Sequence, residues 1–197
     1  MAKIVKVPGK LGSRKVRRRK SKSEKLEELG QLNMFDQLKI IEFQQNKDFF
    51  NDALALDQDD DPKAIEHYLK AIEEGQSVSD AYCNLGVIMW QKDELAKAVD
   101  YLTRCLIENP RHYEAHYNLA NLYSEKGNLD LAILHFEVAI EIEPNYPNSY
   151  YNLGLVHISL ENYKKAIPYI DTYIKISPGA DHKVANNLLK TLTSIAQ

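Results

Sequence analysis

Residues 81–110 read AYCNLGVIMWQKDELAKAVDYLTRCLIENP, and the same pattern returns twice more at a spacing of 34 residues. Tyr82, Leu85, Gly86, Met89, Ala98, Leu102 and Pro110 make the first set. His116, Leu119, Ala120, Tyr123, Ala132, Phe136 and Pro144 make the second, and Tyr150, Leu153, Gly154, His157, Ala166, Ile170 and Pro178 the third. Apolar residues fall at helical spacing on both sides of a polar turn, so each unit predicts two antiparallel helices, A then B. In the first unit helix A is expected over residues 80–91 and helix B over residues 94–107. The Leu-Gly or Leu-Ala pair places a small residue where A meets B, and Ala98, Ala132 and Ala166 supply its counterpart on B. Leu102, Phe136 and Ile170 fill the space beside that contact, where close packing leaves little tolerance. Asp93 is a candidate cap for the first helix B, and Gly127 with Asn128 breaks the second unit. Pro110, Pro144 and Pro178 follow each helix B, whereas Pro168 falls inside the third and predicts a kink or a lost backbone hydrogen bond.

The order aromatic-x2-Leu-Gly-x2-Tyr, Ala-x3-Phe, Pro resembles the tetratricopeptide repeat over residues 79–178. It departs from the family at Met89 and His157, where Tyr is usual, and at His116, where Trp is usual. The resemblance implies an all-α, right-handed superhelical solenoid with repeats over residues 79–112, 113–146 and 147–180. A divergent repeat is expected over residues 45–78. Ala64, Ile65, Tyr68, Ala71 and Ile72 match helix B, with Asp61 as a cap and Pro62 at the first helical position. Phe49, Ala53 and Leu56 match helix A if the acidic turn over residues 57–61 gains one residue. After Pro178, the residues Val184, Leu188, Leu189, Leu192 and Ile195 recur at helical spacing, so residues 181–197 predict a capping helix over the last repeat. Stacks of this family are surfaces for holding other proteins, which is the function the resemblance implies.

Charge divides the chain unevenly. Residues 1–25 hold eleven Lys or Arg and one acid, Glu24, leaving 14 of the 25 basic and 27 of the 28 acidic residues to the remainder. Such a stretch buries too little apolar surface to fold alone, so a basic disordered tail is expected. Arg14, Lys15, Arg17, Arg18, Arg19 and Lys20 are its candidate contacts to nucleic acid or another anionic surface. Ser21 with Glu24 resembles a capping box, which predicts a helical extension over residues 26–44. No apolar run reaches 18 residues and the N-terminus lacks the apolar core of a secretory signal, so neither a membrane span nor export is expected. Cys83 and Cys105 read as unpaired thiols of a reducing compartment, the cytoplasm.

Candidate binding residues come from the repeat register. Asn84, Asn118 and Asn152 share position 6 of their units, so they form a row along helices A. An amide offers both a donor and an acceptor, and a row of them can pair with the backbone of an extended peptide. Asparagine ladders of this kind occur in some tetratricopeptide proteins, including the glycosyltransferase that modifies Ser and Thr. Local hydrogen bonding within the fold is the other reading of the row. Asn121, Trp90, Tyr117 and Tyr151 complete the candidate groove, with Trp90 either an apolar anchor or a residue packed between repeats. Asp80, Glu114 and Glu125 join the same surface, and no Lys-Arg set for an acidic C-terminal carboxylate is present there.

Catalytic and cofactor motifs are missing: no phosphate-binding Gly-rich loop, dinucleotide fingerprint or nucleophile elbow occurs. His112 and His116 stand four apart without a cysteine or acid at recognisable ligand spacing, so no metal site is expected. The residues therefore favour a non-catalytic cytoplasmic adaptor that takes an extended, neutral-to-basic, partly apolar segment of another protein into its concave groove. Two alternatives stay open: a nucleic-acid-associated or regulatory protein that uses the basic tail, and a secretion-type client chaperone.

Overall fold

The computed structural model describes residues 47–177 and 182–196. The basic tail over residues 1–25, with Arg14, Lys15, Arg17, Arg18, Arg19 and Lys20, lies outside the described residues. So do the extension over residues 26–44 and Pro178.

Among the described residues there are nine helices and no strand. They run as α1 (Phe49–Gln58), α2 (Ala64–Glu73), α3 (Val78–Gln91), α4 (Leu95–Glu108), α5 (Tyr113–Glu125), α6 (Leu129–Ile142), α7 (Pro147–Ser159), α8 (Tyr163–Ile176) and α9 (Lys183–Ile195). Helices pack in sequential pairs, α1 on α2, α3 on α4, α5 on α6 and α7 on α8, and each pair then leans on the next. The A-type helices also touch one another, α3 with α5 and α5 with α7. This is the all-α superhelical stack that the repeat pattern predicts.

Small residues set the spacing within a pair. A Cβ added to Gly86 would lie 2.7 Å from Cγ of Leu102 and 3.3 Å from the carbonyl of Ala98. At Gly154 it would meet Cδ1 of Ile170 at 2.6 Å. Ala98, Ala132 and Ala166 are fully buried opposite these points, as are Leu102, Phe136 and Ile170 beside them. Burying such side chains is the main favourable contribution to the stack, at about 25 cal/mol per Å² of apolar surface.

The turn between A and B is also periodic. Asp93, Gly127 and Glu161 adopt left-handed backbone at φ 60°, 76° and 58°. Each is followed by a residue whose N–H reaches back five positions, Glu94 to Met89 at 2.8 Å, Asn128 to Tyr123 at 2.8 Å and Asn162 to His157 at 2.9 Å. Asp93 is therefore the residue that reverses the chain, not a cap; Glu94 occupies the N-cap of α4 and makes no side-chain cap bond. A second periodic bond ties the repeats in series. Nε2 of His116 lies 3.2 Å from the carbonyl of Pro110, and the hydroxyl of Tyr150 donates to the carbonyl of Pro144 at 3.1 Å. The signature aromatic position thus carries a polar tip that satisfies a carbonyl no helix can use.

A packed helix pair, α1 and α2, stands where the divergent repeat is expected, and its register corrects the expected gain of a residue. Its turn bond, Asp61 N–H to Leu56 O at 2.8 Å, is displaced by one residue from the 34-residue period. Register is recovered because Ala64 N–H bonds Asp61 O at 2.9 Å, an i to i+3 step, where α4 begins with the i to i+4 bond Ala98 to Glu94 at 3.0 Å. One residue is lost, not gained. Asp61 caps loosely, accepting the N–H of Lys63 at 2.9 Å, and α2 starts at Ala64, two residues after Pro62.

At the other end α9 packs on α8 through buried Ala185 and Leu192, with Leu188 and Leu189 half-buried. Val184 and Ile195 face solvent, so they do not join the cap contact as their spacing suggests. Pro168 lies exposed within α8, which continues through it from Tyr163 to Ile176.

Candidate functional site

The three asparagines of the row are half-buried on α3, α5 and α7, and each spends its amide N–H on a neighbouring helix. Asn84 Nδ2 donates to the hydroxyl of Tyr68 at 3.1 Å. Asn118 Nδ2 lies 3.7 Å from Sγ of Cys83, a weak acceptor. Asn152 Nδ2 donates to Tyr117 Oη at 3.1 Å and to Asn121 Oδ1 at 2.7 Å. Donors are thus directed along the stack, from one repeat to the one before it.

The sequence marks Tyr68 only as a helix B residue, yet it anchors the first rung. Its side chain is fully buried, and its hydroxyl donates to Asp57 Oδ2 at 3.2 Å while accepting from Asn84. Burial and the adjacent Asp57 carboxylate raise its pKa well above the ordinary phenol value. No periodic signal marks Asp57, because the bond depends on the shifted register of the divergent turn.

The other candidates, Asn121, Trp90, Tyr117 and Tyr151, are engaged in contacts within the stack. Trp90, half-buried at the end of α3, donates Nε1–H to Glu125 Oε2 at 2.8 Å and so bridges α3 to α5. Tyr117 is edge-on to Phe136 and to Tyr146, with ring centroids 5.9 and 5.1 Å away. Tyr151 leans on Tyr173 at 4.8 Å. Between α3 and α5 lies a cavity of about 280 Å³, walled by Asp80, Asn84, Val87, Glu114 and Asn118, with Cys83 and His112 at its base. It joins two members of the asparagine row to two carboxylates and one aliphatic side chain.

Behind that cavity, ligand-type side chains that look unrelated in sequence come together. Cys83, Cys105 and His112 are all buried, with one potential ligand atom from each lying within 4.8 Å of the others. This corrects the reading that no cysteine joins His112. The signal is hidden because the residues stand 22 and 7 apart and belong to three separate elements. A second histidine pair, His116 and His135, meets through Nδ1 atoms 2.9 Å apart on α5 and α6. His135 also stacks on Tyr123, with ring centroids 5.5 Å apart. Desolvation, then the neighbouring His116, pushes the pKa of His135 down to about 4, and desolvation lowers that of His116 too. Both rings are neutral at pH 7 and read as packing, not proton transfer.

Three models of the tetratricopeptide repeat match this sequence, over residues 89–135, 120–160 and 147–179. No curated protein sequence matches it. Among solved structures, MamA superposes with a TM-score of 0.60 at 23% identity, covering 80% of this chain and 95% of the other. The first tetratricopeptide domain of Spaghetti, solved with the HSP90 peptide SRMEEVD, superposes at 0.55 with 17% identity over 60% of this chain and 96% of that domain. A tetratricopeptide protein from Parabacteroides merdae gives 0.64 at 20% identity, over 77% of this chain and 61% of its own. Identities this low establish the shared fold and nothing of the partner. With the helix pairs, the periodic turn bonds and the matched repeats in agreement, the chain is a tetratricopeptide-repeat protein.

Proposed function

We propose that the cavity between α3 and α5 is part of a groove that holds an extended segment of a partner protein. At the coarser level, tetratricopeptide repeats make this chain a protein–protein interaction module. The observation that carries the finer reading is the shared wall: Asn84 and Asn118 stand in one cavity with Val87, Asp80 and Glu114. Because both amide N–H groups are turned toward neighbouring helices, the carbonyl oxygens of these side chains remain as acceptors for a peptide's backbone N–H. Val87 offers apolar contact, and the two carboxylates favour a neutral or basic occupant. The Spaghetti domain was solved with an acid-rich segment; the carboxylates here select the opposite charge. Binding would be reversible docking without covalent chemistry.

Selection from a random peptide library displayed at fixed salt tests this. Neutral-to-basic sequences with apolar residues are expected to enrich, and to lose affinity on Val87→Arg while the melting temperature is unchanged. Val87 is half-buried and outside the buried core, so the charge enters the groove without opening it. Enrichment of acidic peptides, or indifference to Val87→Arg, would sink the proposal.

A second reading rests on the eleven basic residues of the first 25. They suit a phosphate backbone, and that mode would show a steep loss of affinity with salt, removed by deleting residues 1–25.

A further inference from the structure

The corner where helix A, helix B and the next repeat meet is built from three positions per unit. In the second repeat they hold Tyr117, Ala139 and Tyr146, and the rings of Tyr117 and Tyr146 meet edge-to-face at 5.1 Å. In the third, Tyr151 leans on Tyr173 at 4.8 Å. In the first repeat the same positions hold Cys83, Cys105 and His112. Where the other corners place apolar rings, this one converges two thiols and an imidazole, all buried, with ligand atoms within 4.8 Å.

Two carboxylates flank the imidazole. Asp80 Oδ1 lies 3.0 Å from Nε2 of His112, and Glu114 Oε2 lies 3.3 Å from Nδ1. We propose that Cys83, Cys105, His112 and Asp80 bind one borderline-soft divalent cation, of which Zn(II) is the type, with Glu114 orienting the imidazole. Two sulfurs, one nitrogen and one carboxylate oxygen are a tetrahedral donor set that such a cation favours. Bond lengths of about 2.0–2.3 Å to zinc place adjacent ligand atoms roughly 3.3–3.8 Å apart. Nε2 of His112 and Asp80 Oδ1 already stand near that separation at 3.0 Å. The two sulfurs and the imidazole, within 4.8 Å of one another, need to close by up to about 1 Å, and the Asp80 carboxylate, which lies outside that group, turns in toward the sulfurs.

Proton movements balance. In the metal-free chain, His112 Nδ1 accepts the N–H of Ala115 at 3.2 Å, so Nε2 carries the ring proton and donates it to Asp80. The cation takes the place of that proton between Nε2 and Asp80. The imidazole then carries its proton on Nδ1 and gives it to Glu114, the carboxylate–histidine–metal arrangement that fixes ring orientation in metal sites. The N-cap bond to Ala115 is exchanged for this one. Cys83 and Cys105 become thiolates, so two protons leave per cation bound. Asn118 Nδ2, 3.7 Å from Cys83 Sγ, supplies a donor to the new thiolate. The cavity of about 280 Å³ opening over Cys83 and His112 is the route of entry.

The proposal is tested on the full-length, untagged chain, reduced with a phosphine and stripped with a chelator, by titration with Co(II). One equivalent is expected to bind with a thiolate-to-metal charge-transfer band and tetrahedral ligand-field bands, both erased by Zn(II). Calorimetry in two buffers of different ionisation enthalpy should count two protons released. Cys83→Ser removes one thiolate and weakens the charge-transfer band, whereas Glu114→Gln keeps it and lowers affinity about ten- to a hundredfold. If the serine variant does not fold, the spectrum of the unaltered chain still decides. Absence of binding, or a weak octahedral spectrum without charge transfer, overturns the proposal. The peptide-library result does not depend on this one, since Val87 is no ligand.

Discussion

The first and second repeats place different chemistry on one backbone corner. At Tyr117 and Tyr146 the second repeat packs two rings against each other, over the fully buried Phe136. At Cys83, Cys105 and His112 the first repeat packs three small or polar side chains in the same place. Helix geometry fixes where these side chains meet, and repeat packing tolerates either filling. The aromatic corner contributes stability by burying area. The thiol–imidazole corner is also buried but contributes less of that kind, because its side chains carry less apolar surface.

The largest expected effect measures this contrast directly. Phe136→Ala should cost about 3–5 kcal/mol in chemical denaturation, because it removes a fully buried ring from under Tyr117. Cys105→Ala at the corner of the first repeat should cost less than about 1.5 kcal/mol in the metal-free chain, since little volume changes. Equal costs would mean that the first corner is held by packing after all.

The helix crossings give a finer comparison. Gly86→Ala is expected to destabilise by about 1–3 kcal/mol, because the new Cβ meets Leu102 Cγ at 2.7 Å and a backbone carbonyl at 3.3 Å. Gly154→Ala meets the flexible end of Ile170 and finds the nearest carbonyl 3.6 Å away. There the gain in helix propensity, about 1 kcal/mol, should leave the net change near zero. The second repeat already carries Ala120 at this position, fully buried in the cluster around Phe136. A reversed order of the two glycine variants would show that Leu102 gives way more readily than Ile170.

Hydroxyl deletion compares two rungs of the asparagine row. Tyr68→Phe strips Asn84 and Asp57 of a shared partner and should cost about 1–2 kcal/mol. Tyr117→Phe should cost about 0.5–1 kcal/mol, because Asn152 keeps its bond to Asn121 at 2.7 Å. Thermal melts of the two variants side by side decide whether the first rung is the stiffer.

What the sequence made legible was what recurs. Gly86, Ala120 and Gly154 against Leu102, Phe136 and Ile170 mark the helix crossings because each repeat must solve the same packing problem at the same distance along the chain. The asparagine row was legible for that reason too, but not the direction of its amides, which depends on Tyr68, Cys83 and Tyr117 in the repeat before. The convergence of Cys83, Cys105 and His112 is not legible in the same way, because no local spacing joins them; only superposing the repeats puts them beside Tyr117, Ala139 and Tyr146. The one-residue slip before Ala64 runs opposite to the expected gain, since composition shows an acidic turn but not whether helix α2 enters through a tighter i to i+3 bond.

A second corner extends the comparison to pH. His116 and His135 in the second repeat occupy the positions that Tyr82 and Tyr101 hold in the first, where the rings stack with centroids 6.2 Å apart. In the unfolded chain an imidazole takes its proton near the model value of 6.5, whereas folded His135 does so only at about 4. Between those values the unfolded chain binds more protons than the folded one, so stability that is complete above about pH 6.5 is lost as the pH falls toward 4 and then levels off. The lowered pKa of His116 acts in the same direction. Near pH 7 this is the smallest of the effects, and it appears as a slope in melting temperature between pH 7 and 4. The double variant His116→Tyr with His135→Tyr writes the pair of the first repeat into the second and should flatten that slope while leaving the neutral-pH melt nearly unchanged. A slope that survives the exchange would assign the acid sensitivity to other groups.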